Sequence, residues 1–161
     1  MKILCVDFDG TIVDHSFPDV GIEMPYAIAV LKALKLAGYK LILWTAREDG
    51  NWQSKHRNYL TEAVEWCKSR GIEFDSVNST LPNHDWRDEH TLKRKPHADW
   101  FIDDRNIGGF IGWEKVGRLL LGDVAMDKLM EDNKIFHQKP EDQVLGLSGI
   151  ESQYKSWGDT E

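Results

Sequence analysis

The chain has 161 residues, 41% of them hydrophobic and 29% charged, with a formal net charge of −7. That length suits one domain with one adequate core, and the composition is that of the soluble globular class. The negative balance repels nucleic acid and anionic membrane at long range, although a local basic patch can override it. No apolar run approaches the roughly 20 residues that a membrane helix needs, and the amino terminus enters a strand without a leader pattern. The two cysteines, Cys5 in a strand and Cys67 on a helix, read as buried apolar residues of a reducing compartment, so a cytoplasmic location is expected.

In chain order, Ile3-Leu4-Cys5-Val6 is a short apolar run that predicts a buried strand. It leads into Asp7-Phe8-Asp9-Gly10-Thr11-Ile12, and Val13 to Met24 reads as a loop. Pro25 opens a helix, with Ala27, Leu31 and Leu34 on one face and Gly38 at its end. Leu41-Ile42-Leu43-Trp44 predicts a second strand, ending in Thr45-Ala46-Arg47. A helix from Ser54 to Ser69 turns Leu60, Ala63, Val64 and Cys67 inward, and Gly71 terminates it. Phe74 to Val77 is a third strand, Leu81 to Pro96 a polar irregular stretch, and Ala98 to Ile102 a fourth strand ending in Asp103-Asp104-Arg105. Trp113 to Leu121 reads as a helix, with Asp123 to Met130 as its continuation or partner. From Lys134 the chain turns polar. The expected division is a core over 1–136 and a loosely held tail over 137–161.

Alternating strands and helices predict an α/β fold: a single doubly wound, Rossmann-like parallel sheet with helices on both faces. In such sheets ligands bind at the carboxyl ends of the strands, and three of the predicted strands deliver polar residues there. On an extended backbone Asp7 and Asp9 share a face while Phe8 points away. Paired carboxylates in an apolar setting need a cation or a shared proton, and a hard divalent ion such as magnesium suits this oxygen-rich environment.

These residues resemble the haloacid dehalogenase (HAD) superfamily, most of whose members are phosphohydrolases. Asp7-Phe8-Asp9-Gly10-Thr11 is similar to its first motif, Thr45 to its second and Asp103-Asp104 to its fourth, in order from Met1 to about Leu121. Ile102 to Gly109 resembles the small capless bacterial members, and the Asp-Asp-Arg triplet also occurs in phage polynucleotide kinase phosphatase domains. Neither Val13 to Met24 nor Leu81 to Pro96 is long enough for a cap domain of about 50 residues, so an open site is expected, covered by loops or by a neighbouring subunit of a homo-oligomer.

The resemblance implies roles. Asp7 is the nucleophile. Asp9 is the general acid and base, and its carbonyl is a metal ligand. Asp103 and Asp104 hold Mg2+ together with Asp7. Thr45 gives its hydroxyl to a phosphate oxygen, a threonine that could equally cap a turn. Gly10, Thr11, Ala46, Arg47 and Arg105 are the substrate-contact candidates, although either arginine alone reads as a solvated surface charge. The family lysine is best matched by Lys95, eight residues and up to about 26 Å of extended chain before Asp103, with Lys93 or Arg94 as alternatives.

His84, Asp85, His90 and His97 match no zinc spacing and read as a polar loop. Trp44 and Trp100 are expected in the core. Trp52 and Trp86, in loops, could stack on a sugar or base, or pack under a loop. The implied activity is hydrolysis of a phosphomonoester, a small phosphorylated metabolite or nucleotide, through an aspartyl-phosphate. The alternatives are a nucleic-acid 3′-end phosphatase and a regulatory module that binds phosphate or metal without turnover.

Overall fold

The computed structural model describes residues 1–50, 57–81 and 95–136. Eight elements follow one another: β1 (Lys2–Val6), α1 (Ala27–Leu36), β2 (Tyr39–Leu43), α2 (Tyr59–Ser69), β3 (Ser76–Val77), β4 (Trp100–Ile102), α3 (Trp113–Leu121) and α4 (Asp123–Phe136). The four strands form one all-parallel sheet, as expected, in the order β3-β2-β1-β4, with Val6 opposite Leu43 on one side and Ile102 on the other. Among the described residues no insertion folds as a separate cap. The proposed tail, 137–161, lies outside them, as do Trp52, Trp86, Lys93 and Arg94.

Alternation along the strands sorts the core into two layers. Leu4, Val6, Leu41 and Leu43 face a cluster that takes in buried residues of all four helices: Leu31 and Leu34 of α1, Ala63 and Cys67 of α2, Trp113 and Val116 of α3, and Met126 of α4. Ile3, Cys5 and Ile42 face the other way, against Leu81, Ala98 and Phe101. The described helices thus occupy one face. Against the opposite face pack Leu81 and Ala98, from the described ends of the β3–β4 connection, whose residues 82–94 lie outside the described residues.

The outer strands are shorter than their apolar runs. Asp75 explains this at β3: its N–H donates to Leu41 O, while its carboxylate accepts the Leu41 N–H at 3.0 Å. Asp99 repeats the device at β4, where its N–H donates to Ile3 O and its carboxylate accepts the Ile3 N–H at 2.7 Å. Each side chain replaces one ladder carbonyl and sets where regular pairing begins. Trp100 corrects an expectation. It lies on the edge strand β4, is 42% exposed, and rests beside Tyr39 and the Lys2 ammonium, because an edge strand has a neighbour on one side only. Helix α2 starts at Tyr59, and Ser54, where the sequence placed its start, lies outside the described residues. Asn58 bridges to Asp49, whose carboxylate accepts the Thr61 N–H and so caps the helix from a distant loop.

Helix α3 reaches the strand ends through one bond. Trp113 is buried, and its Nε1–H donates to Thr11 O at 2.7 Å. Trp113→Phe leaves that buried carbonyl without its donor and should cost about 1–3 kcal/mol in urea unfolding. An unchanged midpoint would show that the bond contributes nothing.

Candidate active site

The site forms where β1, β2 and β4 end. The Asp7 N–H donates to Ile102 O and the Trp44 N–H to Val6 O, so the three chains leave the sheet together. Phe8 continues the inward face of β1 and is fully buried, which turns Asp7 to the opposite side. Gly10 then takes a positive φ of 81°. A Cβ there would run into His15 Nε2 and come 2.7 Å from Asp104 Oδ2, so only glycine lets the loop pass this close to the end of β4.

Asp7, Asp103 and Asp104 each offer a carboxylate oxygen within 4.8 Å of the others. Burial, with Asp103, Asp104 and Asp9 nearby, pushes the Asp7 carboxyl up to about 7, against a hydrogen bond from the Phe8 N–H that lowers it. Asp104 Oδ1 is buried with no hydrogen-bond partner, while Oδ2 meets His15 Nε2 at 2.6 Å. An orphaned buried carboxylate oxygen beside two further carboxylates is a donor set that fits a hard divalent cation.

Thr11 is fully buried and works as a bracket, away from the position of a substrate contact. Its hydroxyl donates to Asp7 Oδ2 at 3.4 Å and accepts the Asp104 N–H at 3.1 Å, so it ties the two strand ends together. Thr45 follows β2. Its N–H donates to Asn78 Oδ1 at 2.8 Å and its Oγ1 accepts the Arg47 N–H at 3.2 Å. The hydroxyl is therefore both a turn cap and, through its own proton, a donor available to the cavity.

A cavity of about 370 Å3 opens beside Asp7, lined by Asp7, Asp9, His15, Phe17, Thr45, Ala46, Arg47 and Arg105. Arg105 is exposed at its mouth. Arg47 is a different case: it is 2% exposed and forms a two-pronged ion pair with Asp9, so it is not a solvated charge. Lys95 lies on the Cys5 side of the sheet, its ammonium 4.2 Å from the centre of the Phe101 ring, and it does not line the cavity.

Four contributors went unread in the sequence: His15, Phe17, Asn78 and Trp113. Asn78 carried a signal, since it too is a polar residue just beyond a strand's carboxyl end. His15 and Trp113 carried none, because each acts across a long stretch of sequence.

The raised Asp7 carboxyl has a consequence for stability. Between an ordinary value near 3.8 and about 7, the folded chain holds a proton that the unfolded chain has lost. The Asp7 contribution is therefore fully present at low pH, falls as pH rises through 7, and is flat beyond. Asp7→Asn removes this dependence. In EDTA its melting temperature should exceed that of the wild type by a margin that widens from pH 4 to pH 7 and then levels. A margin that does not change with pH would exclude the buried, crowded carboxyl as its cause.

Neither a protein-family model nor any curated protein matches the chain. Among solved structures, it is similar to D,D-heptose 1.7-bisphosphate phosphatase from B. bronchiseptica, complexed with magnesium and phosphate. That likeness, at 19% identity, 48% of each chain and a TM-score of 0.37, is too slight to carry an argument. A conserved protein from Bacteroides thetaiotaomicron is 42% identical, over 74% of this chain and 88% of that one, with a TM-score of 0.62. That identity over that much of both chains is what a shared family produces, and the chain belongs to the family of this conserved Bacteroides protein.

Proposed function

We propose that the chain is a phosphomonoester hydrolase of the haloacid dehalogenase type, dependent on Mg2+ and acting through an aspartyl-phosphate on Asp7. One observation carries the reading: Asp7 stands with Asp103 and Asp104 in a metal-competent cluster at the carboxyl edge of a parallel sheet, and Asp9 opens into the same cavity. Asp7, Asp103 and Asp104 would hold the cation. When bound, it supplies positive charge that keeps Asp7 ionised and offsets the repulsion between carboxylate and phosphate.

The remaining steps belong to the chain's own groups. An Asp7 oxygen attacks phosphorus, the bond from phosphorus to the ester oxygen breaks, and that oxygen takes a proton from Asp9 as it leaves. Water then attacks the phosphorus of the aspartyl-phosphate and Asp9 accepts its proton. The bond from phosphorus to Asp7 breaks to release inorganic phosphate. The Thr45 hydroxyl donates to a phosphoryl oxygen and Arg105 contacts the substrate at the mouth. A carboxylate in the position of Asp9 favours turnover over a module that merely accepts phosphate, since such a switch needs no acid beside its nucleophile.

With magnesium present, the protein should release 4-nitrophenol from 4-nitrophenyl phosphate and become transiently phosphorylated. Asp7→Asn should abolish both and keep the fold. Phosphorylation that persists in Asp7→Asn would move the nucleophile elsewhere. Asp103→Ala should raise the magnesium concentration needed for half-maximal rate by about tenfold or more, with a much smaller change in KM. An unchanged magnesium requirement would remove Asp103 from the ligand set.

A further inference from the structure

Arg47 holds more of the site together than a substrate contact would. Its Nε donates to Asp9 Oδ2 at 2.7 Å and its Nη2 to Asp9 Oδ1 at 2.7 Å, a planar fork on a planar carboxylate. Nη2 also donates to Asp19 O at 2.7 Å, and Nη1 to Pro18 O at 3.3 Å. Four of the five guanidinium N–H groups are thereby directed at the protein, leaving little for a ligand. The guanidinium lies between two rings, 5.1 Å from the centre of Phe8 and 5.3 Å from that of Phe17. At its base, the Arg47 N–H donates to Thr45 Oγ1, and the Thr45 N–H donates to Asn78 beyond β3.

We infer that Arg47 is a positioning residue: its fork sets the plane of the Asp9 carboxylate and ties it to the loop that carries Phe17, Pro18 and Asp19. The inference rests on the reading of Asp9 as acid and base. The physical case is one of freedom and repulsion. Asp9 has two side-chain torsions and stands among like charges, and both of its oxygens accept from Arg47, so the fork holds the ionised carboxylate at the cavity and one prong yields when Asp9 carries the proton. Proton transfer needs the donor within hydrogen-bond reach of the leaving oxygen, and a misplacement of about 1 Å can cost on the order of 100-fold in rate. Lysine retains the charge of Arg47 but is a single point, unable to hold a carboxylate plane or reach two loop carbonyls as well. Arg47 therefore acts through Asp9, and its removal must mimic the loss of Asp9 rather than add to it.

A double-mutant cycle of R47K and D9N tests this, with 4-nitrophenyl phosphate as the good leaving group, phenyl phosphate as the poor one, and magnesium in both assays. R47K should lower kcat/KM, which reports the step in which the leaving group departs, by about 100-fold on phenyl phosphate and by about 10-fold or less on 4-nitrophenyl phosphate. In the D9N background, R47K should add no more than about a twofold loss on either ester. Cooperative thermal unfolding checks that each variant folds. Where R47K does not fold, R47Q takes its place, since its amide keeps one donor toward Asp9. Equal losses on the two esters, losses that multiply in the double variant, or full activity in R47K would each overturn the role. Failure of both substitutions to fold would make Arg47 a structural residue and overturn it as well. A wild type inert toward both esters is a separate failure, that of the acid–base reading itself, and the positioning role falls with it.

Discussion

Like charges meeting at one edge of the sheet are the constraint around which the rest of this molecule is arranged. Parallel pairing brings the ends of β1 and β4 side by side, and the sequence places Asp7 and Asp9 after the first and Asp103 and Asp104 after the second. Carboxylates this close destabilise one another unless each finds a partner. The protein answers differently at each. Asp9 is drawn into the fork of Arg47, Asp104 meets His15 with one oxygen, and Asp103 accepts the N–H of Arg105. Asp7 receives the long Thr11 bond and one from the Phe8 N–H, and burial, reinforced by the neighbouring carboxylates, still pushes its carboxyl up to about 7. The residual repulsion falls on the one carboxylate to which the proposed chemistry assigns the attack, and a divalent cation would relieve it.

Rigidity at this edge comes from short-range bonds between loops that are remote in sequence. Thr11 joins the first loop to the β4 end and, through Trp113, to α3. Asn78 joins the β3 end to Thr45, and Arg47 joins the β2 end to the loop after β1. The apolar layer beneath supplies the platform, since Phe8 and Trp113 belong to the cluster that contains Leu4, Val6, Leu41 and Leu43. A side chain in the cavity is therefore held from below by packing and from the sides by hydrogen bonds. That combination lets a site without a folded cap among the described residues keep its groups in place.

The cavity has two unlike kinds of lining. Asp7, Asp9, Thr45 and Arg105 supply its polar lining, while Phe17 supplies an aromatic ring that is 58% exposed and in edge contact with Tyr59. Under the proposed chemistry, an exposed aromatic ring beside these polar groups presents apolar surface to whatever carries the phosphate. Phe17 keeps its place because Arg47 binds the carbonyls of the two residues that follow it. The same guanidinium thus serves the polar lining and steadies the aromatic one.

The sequence by itself determined the parallel sheet and the edge that carries the chemistry. Apolar runs of strand length separated by helical periodicity admit few arrangements, and polar residues at the ends of several runs mark the ligand edge whatever the packing. Asp7, Asp9, Thr45, Asp103 and Asp104 were legible for that reason, each being the residue at or just beyond a strand's end. The tertiary structure alone decided what each group touches. Arg47 read as a substrate contact or a surface charge because nothing local to Thr45-Ala46-Arg47 reveals a carboxylate arriving from 38 residues earlier in the chain. Thr11 read as a substrate contact because only the packing of α3 and β4 around it shows that its hydroxyl and carbonyl are already used. Trp100 read as core because an apolar run does not say which strand lies at the edge. Strand ends are written in local patterns of the chain, whereas partners across a site are set by loop closure and packing, which depend on the whole fold at once.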